Sequence, residues 1–172
     1  MLGDTHVTLP SYEATLGVTI EAAPAAIWPW LMQMGYRRGG LYSYDWLDRL
    51  FGYLDAPSAE HILPEWQSLA VGDEIPVGRG GGFPVKAIEP LRSLVLGGHA
   101  TSIDWSWEFA IVPIGNCRTR LLSRSRVRTR RSVRTWLTML AIEPSAFLMT
   151  RKMLLGIKRR AEAVVRVERR AA

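Results

Sequence analysis

The first third of the chain carries one alternating run followed by a run with helical spacing. Residues 15–21 alternate apolar and polar side chains and predict a short strand. Residues 24–34 repeat apolar side chains every three or four positions, which is typical of an amphipathic helix. Pro29 removes one backbone hydrogen bond and is expected to kink this helix, and Gly35 is expected to end it.

The rest of the chain predicts a short helix, a group of strands and a long helix. The short helix is predicted over 44–53, with an apolar face formed by Leu47, Leu50, Phe51 and Leu54. Short runs separated by glycine and proline turns then predict strands at 73–77, 84–89, 93–97, 104–112 and 118–129. The long helix is predicted over 145–169, with Pro144 and Ser145 at its start.

Length and composition exclude several classes of protein. With 172 residues, 48 % hydrophobic and 22 % charged, the chain is long enough for one globular domain, expected over 1–172, and too apolar for intrinsic disorder. No apolar run reaches the ~18 residues of a membrane-spanning helix, and no secretion signal is recognisable. Cys117 is the only cysteine, so no internal disulfide is expected. We therefore expect a cytoplasmic protein.

The glycine-rich stretch and the histidines lack the surroundings that cofactor-binding and metal-binding motifs require. The glycine-rich stretch 78–82 precedes a predicted strand, whereas a dinucleotide- or phosphate-binding loop precedes a helix. The histidines His6, His61 and His99 lack the spacing of a zinc site. We expect neither a cofactor nor a metal.

The net charge of +6 is distributed unevenly. Residues 1–117 carry 6 basic and 13 acidic side chains, whereas residues 118–172 carry 16 basic and 3 acidic ones. This asymmetry suits an anionic partner, and a plain bias toward arginine produces it equally well. The arginines of strand 118–129 share one parity, so we expect a solvated row on the outer face of the sheet. Nucleic acid is not expected as a partner, because neither interleaved aromatics nor a recognition helix is evident.

Four stretches resemble the START-like (SRPBCC) superfamily, in particular its polyketide cyclase/dehydratase-like bacterial branch. They are PAAIWPWL (24–31) with QMG (33–35), GG (39–40) before YSYD (42–45), VGD (71–73), and KMLLGIKRRAE (152–162). The resemblance implies an α+β helix-grip fold, in which a curved antiparallel β-sheet wraps around a long C-terminal helix and two short helices follow the first strand. It also implies a deep, mostly apolar cavity between the sheet and that helix.

The function expected from this resemblance is the binding or carriage of a hydrophobic small molecule, lipid-like or polyketide-like, inside the cavity. Two alternatives remain open: an enzyme of the cyclase/dehydratase type, and a basic module that contacts an anionic membrane or nucleic acid. Fold alone does not separate them. An enzyme would need an acid or base in the pocket, for which the candidates are Asp45, His99, Glu108 and Tyr44.

Alternation along strand 104–112 gives the most specific expectation about the cavity. Trp105, Trp107 and Phe109 share one parity and are expected to face the cavity or the packed core, with Glu108 pointing outward. Loop 42–46 is expected at the cavity mouth. The candidate ligand-contacting residues are Trp30, Met34, Tyr42, Tyr44, Asp45, His99, Trp105, Trp107, Phe109, Met153 and Ile157.

Two further residue groups have competing interpretations. Asp45 is expected to be an N-cap of the second helix, the alternative being a polar contact to the ligand. Residues 130–160 combine a short apolar segment containing Trp136 with flanking arginines, which is the composition of a membrane-interface segment. The alternative, which we favour, is a short helix over 133–142 that buries Trp136 and Leu140.

Overall fold

The structure is a computed structural model that describes residues 1–100, 103–115, 117–129 and 133–171, without the side chains of residues 100, 133–143 and 168–171. The helices among these residues are α1 Pro24–Met32, α2 Asp45–Leu50 and α3 Val133–Ala171, with short 3-10 helices at Leu2–Thr5 and Pro64–Trp66. The strands are β1 Tyr12–Ile20, β2 Glu74–Pro76, β3 Gly82–Glu89, β4 Ser93–Ala100, β5 Ile103–Gly115 and β6 Arg118–Thr129.

The strands form one antiparallel sheet in the order β1-β6-β5-β4-β3-β2. Helix α3 packs one side against β1, β6 and α1. The core lies between them and is built from inward side chains of the sheet and the apolar faces of both helices. Its buried members include Leu94, Leu96, Phe109, Ile111 and Leu121 from the sheet.

Helix α3 begins earlier than expected. The sequence predicts a start at Pro144 and Ser145, whereas the helix runs from Val133 and contains Pro144 in its interior. Proline favours the first turn of a helix, but within a helix it removes only one hydrogen bond and introduces a kink. Residues 133–142 include Leu137, Met139, Leu140 and Ala141, which favour helix and continue it into the proline.

Helix α1 contains Pro29, as expected, and ends at Met32. Gly35 follows with a φ of 127°, in the left-handed region that glycine tolerates. Its N–H and C=O both pair with Gly40, at 3.0 Å each, which turns the chain back. Arg38 donates to the Met32 carbonyl at 2.8 Å and thereby satisfies one free carbonyl at the end of the helix.

The N-terminal segment covers part of the outer face of the sheet. Glu108 has the outward parity that alternation predicts, yet it is only 2 % exposed. Its carboxylate accepts hydrogen bonds from the amides of Leu2 and Gly3, at 3.1 and 2.9 Å, and from Ser93 Oγ at 2.9 Å. These bonds hold the first 3-10 helix against the sheet.

The outward arginines of β6 have the predicted parity, but the expectation of a solvated row is wrong for Arg124 and Arg126. Arg126 pairs with Asp4 at 2.8 Å, and Arg124 pairs with Glu13 at 2.7 Å. The side chain of Arg124 is only 22 % exposed, and that of Arg126 only 13 %. The physical reason is that the acidic first third of the chain supplies the partners of these arginines.

Candidate functional site

The inner face of the sheet carries a group of aromatic rings, which we call the aromatic wall: Phe83, Trp105, Trp107 and Phe109. Ring centroids lie 5.1 Å apart for Phe83 and Trp105 and 5.6 Å apart for Phe83 and Trp107. The ring centroids of Trp107 and Phe109 lie 4.7 Å apart. Trp107 Nε1 donates to Ser123 Oγ at 2.7 Å, which fixes the indole on β6. The wall is therefore a preorganised apolar surface.

Burial changes along the aromatic wall. Phe109 is fully buried, whereas Phe83, Trp105 and Trp107 are only partly buried. Further partly buried apolar residues pack against the core: Leu16, Val18, Ala26, Trp28, Ile62, Leu69, Ile88, Val164 and Val165. Apolar surface that stays accessible on the inner side of a sheet is suited to contact a hydrophobic ligand.

Several residues predicted to contact a ligand are packed in the hydrophobic core, although Tyr42 also borders the cleft between loop 42–46 and α3. Trp30, Met34, Tyr42, Met153 and Ile157 are each 4 % exposed or less and belong to the same hydrophobic cluster as the aromatic wall. They form the close-packed core against which the partly buried rings of the wall lie.

His99 lies apart from the aromatic wall. It pairs with Asp104 across β4 and β5, and its side chain is 82 % exposed. Asp104 also accepts hydrogen bonds from Arg128, at 2.8 Å from Nε, and these bonds together with the His99 contact lower the pKa of the Asp104 carboxyl. His99 and Glu108 are therefore both separated from the inner face.

Tyr42 joins the loop between α1 and α2 to α3. Its ring packs edge-on against Trp30, with centroids 5.9 Å apart, and the Arg160 guanidinium lies 4.9 Å above it. Burial raises the pKa of its hydroxyl. Gly156 of α3 lies directly against the Tyr42 backbone, where a Cβ would come within 2.2 Å of the Tyr42 carbonyl oxygen. The helix and the loop can approach this closely only because residue 156 has no side chain.

The expectation that Asp45 is an N-cap is wrong. Tyr44 occupies the N-cap position, without a side-chain capping bond, and Asp45 is the first residue of α2. The Asp45 carboxylate instead accepts from Ser58, at 3.1 Å from its amide and 2.7 Å from its hydroxyl. Because Ser58 Oγ also accepts from the Tyr42 amide at 3.2 Å, Asp45 fixes the long loop after α2 to the loop before it.

Helix α2 is turned differently from its predicted orientation. Leu50 and Phe51, expected on its buried face, are exposed, whereas Asp48 is fully buried. Ser43 Oγ donates to Asp48, and burial raises the pKa of the Asp48 carboxyl. The local pattern of Leu47, Leu50, Phe51 and Leu54 is helical in spacing but does not specify which side of so short a helix meets the core.

A cleft of about 510 Å³ lies between loop 42–46 and α3. Its lining comprises Tyr42, Ser43, Tyr44, Asp45, Trp46, Glu60, Lys152, Leu155, Gly156, Arg159 and Arg160. Lys152 Nζ lies 5.4 Å from the centre of the Tyr44 ring. No residue of β5 lines this cleft, so the structure places Tyr44 and Asp45 apart from Trp105 and Trp107, which the sequence expectation had combined in one cavity.

Two buried polar side chains that the sequence analysis missed hold the long loop after α2. Gln33 is fully buried; its amide donates to the His61 carbonyl at 3.1 Å and accepts from the Leu63 amide at 2.9 Å. Arg160 donates to the Ala59 carbonyl and to Glu60, both at 2.7 Å, and burial lowers its pKa. Both residues lie within the stretches that carry the family resemblance, but nothing in their local pattern distinguishes them from surface polar residues.

Other expectations concern metals and membranes. Within the described residues, no group of three or more His, Cys, Asp or Glu side chains is placed to hold a metal ion. No described helix is long and apolar enough to cross a membrane. Residues 133–142 are helical as expected, but the placement of Trp136 and Leu140 lies outside the described side chains.

No protein-family model matches the sequence, and no curated protein is detectably similar to it. A protein from Thermobifida fusca, solved by NMR, is 11 % identical over 87 % of this chain and 92 % of its own, with a TM-score of 0.54. MLL2253 from Mesorhizobium loti is 14 % identical over 88 % of this chain and 98 % of its own, with a TM-score of 0.49. CalU16 from Micromonospora echinospora is 13 % identical over 88 % of this chain and 84 % of its own, with a TM-score of 0.42. At such an identity the likeness to the Thermobifida fusca protein shows the fold alone. Together with the six-stranded antiparallel sheet and the long helix α3, it confirms the α+β helix-grip fold that the sequence resemblance implied.

Proposed function

We propose that the protein binds a hydrophobic small molecule, lipid-like or polyketide-like, against the aromatic wall, and that residues 1–172 form one ligand-binding domain located in the cytoplasm. The observation that carries this proposal is the partial burial of Phe83, Trp105 and Trp107 on the inner face of the sheet. Partly accessible aromatic rings in contact with one another offer a large apolar area without a loss of side-chain freedom on binding.

The wall favours binding over catalysis. Among the described residues, none of the four acid–base candidates lies at the aromatic wall. Asp45 is bound to Ser58, and Tyr44 lines the cleft on α3. Glu108 lies under the N-terminal segment, and His99 is exposed on the sheet. The geometry therefore gives no specific support to the cyclase/dehydratase alternative. The partly accessible apolar wall supports the binding of an apolar ligand.

Titration with a polarity-sensitive anilinonaphthalene dye tests the proposal. We expect wild-type protein to bind the dye and Trp107→Ala to bind it several-fold more weakly, because the indole supplies the centre of the wall. Trp46→Ala is the matched control, since Trp46 is 68 % exposed outside the wall. Thermal unfolding of each variant confirms that it is folded. Equal dye affinity in wild type and Trp107→Ala would remove the wall as a binding surface.

A further inference from the structure

Helix α2 turns its large apolar side chains toward solvent. Trp46, Leu50 and Phe51 are 68 %, 72 % and 56 % exposed, respectively. Trp46 and Leu50 are one helical turn apart and therefore share a face of α2. Next to them the Phe51 ring packs on Tyr53, with centroids 5.9 Å apart. Contiguous exposed apolar side chains of this size mark an interaction surface.

Helix α3 extends this surface and adds positive charge. Leu148, Lys152, Leu155 and Arg159 follow one another at spacings of four, three and four residues, so they lie on one face of the helix. Leu155, Lys152 and Arg159 line the cleft together with Trp46, which joins the two helices into one face. We call this the α2–α3 face. Its apolar residues project between cations.

The cations near the α2–α3 face outnumber its acidic groups, which are Asp45, Asp48 and Glu60. Glu60 accepts from both Arg159 and Arg160, at 2.6 and 2.7 Å. Asp45 is bound to Ser58, and Asp48 is fully buried. Lys152 forms no ion pair with any residue of the described part of the chain, and Arg49 and Arg151 add two more exposed cations. The face therefore presents net positive charge to its surroundings.

We propose that the α2–α3 face docks on the surface of an anionic lipid bilayer. Trp46, Leu50 and Phe51 would enter the boundary between headgroups and acyl chains, while Lys152 and Arg159 would contact lipid phosphates. Tryptophan and leucine projecting beside lysine and arginine match the two layers that a peripheral protein meets. This surface shares Lys152 and Arg159 with the segment 130–160 considered from the sequence, but its apolar part comes from α2 and not from Trp136. It does not depend on a ligand at the aromatic wall.

A second copy of this chain fits the same face less well. In a two-fold dimer an interface meets its own image, so a face with net positive charge would meet the same net positive charge on the partner. Such like-charge contact is unfavourable in an interface that excludes water. An anionic bilayer instead supplies the opposite charge.

Co-sedimentation with vesicles tests this proposal at about 0.1 M salt, where charges within about 10 Å still interact. We expect the wild-type chain to pellet with vesicles of phosphatidylcholine mixed with phosphatidylglycerol, and to pellet far less with phosphatidylcholine alone or at high salt. Lys152→Glu is expected to weaken binding at least fivefold, since one cation at an anionic surface contributes about a factor of five. Leu50→Ser is expected to weaken it by a similar factor.

Matched controls come from the opposite side of the sheet. Lys86 is an exposed lysine of β3 without an ion pair among the described residues, and Leu9 is an exposed leucine of the N-terminal segment. We expect Lys86→Glu and Leu9→Ser to leave vesicle binding unchanged. A thermal melt verifies that all four variants are folded.

Three results would overturn the proposal: no binding of the wild type to anionic vesicles, equal losses in the control variants, or a dimer in light scattering that Leu50→Ser dissociates while no vesicle binding occurs. The last result would assign the α2–α3 face to a second copy of the chain. Dye binding at the aromatic wall is measured without lipid, so its failure and the failure of vesicle binding are distinguishable.

Discussion

Replacement of Gly156 by alanine tests the contact that joins α3 to the loop before α2. A Cβ at this position would lie 2.2 Å from the Tyr42 carbonyl oxygen and 3.0 Å from its Cβ. The closest atom belongs to the backbone, so no change of rotamer removes the clash, and the helix or the loop must move by about 1 Å. Overpacking of this kind costs about 3 kcal/mol.

The same substitution also has a favourable term. Alanine is better than glycine inside a helix by about 1 kcal/mol. The net expectation for Gly156→Ala is therefore a loss of about 2 kcal/mol in the free energy of unfolding, measured by urea denaturation. For a chain of this length that loss corresponds to a decrease in Tm of about 4–8 °C.

Two control variants separate the opposing terms. Ala163→Gly, at an exposed position of α3, measures the helix-propensity term alone and should cost about 1 kcal/mol. Gly80→Ala adds a methyl group where no atom lies within 4 Å and should change little. If Gly156→Ala were as stable as the wild type or more stable, the close approach of α3 to Tyr42 would be refuted.

Three further predictions concern buried or half-buried polar groups. Burial raises the pKa of the Asp48 carboxyl, so the folded state binds a proton more tightly than the unfolded state, and stability declines as pH rises from the unfolded value of 3.8 through the raised pKa. Thermal melts over this range should show a smaller decline in Asp48→Asn, and an unchanged pH profile would contradict this. Glu108→Ala should release the 3-10 helix at the N-terminus, seen as faster hydrogen exchange at the Leu2 amide; unchanged exchange would show that Glu108 does not hold it. Asp45→Ala should lower the free energy of unfolding by about 1–2 kcal/mol, because it leaves Ser58 without its partner, and Asp45→Asn should lower it less. If the two variants were equally stable, the hydrogen bonds from Ser58 to Asp45 would be excluded.

The order of elements and the parity of the central strands are predictable from the sequence because alternation is a local property. Strand β6 has the predicted bounds, and Trp105, Trp107 and Phe109 share the inner face as expected. Parity, however, states only on which face of the sheet a residue lies. It does not predict what covers that face, and Glu108 is buried because a segment more than 100 residues earlier in the chain folds over it.

The candidate site was less predictable because its contacts are distant in sequence. Asp45 has the residue type and position of a cap, but Ser58, 13 residues later, provides its partner. Helix α2 buries Asp48 and exposes Leu50 and Phe51, which the apolar spacing around Asp48 does not predict. Gly156 gives no local signal at all, since only its contact with Tyr42 explains it.

The central claim, that a hydrophobic molecule binds at the aromatic wall, is tested most directly by NMR of the tryptophan side chains. The chain has seven tryptophans and therefore seven indole N–H resonances, which single Trp→Phe variants can assign. On addition of the anilinonaphthalene dye, the indole resonances of Trp105 and Trp107 should shift in a saturable manner, while those of Trp46 and Trp66 remain in place. Shifts confined to Trp46, or no shift at Trp105 and Trp107 at saturating dye, would contradict the claim.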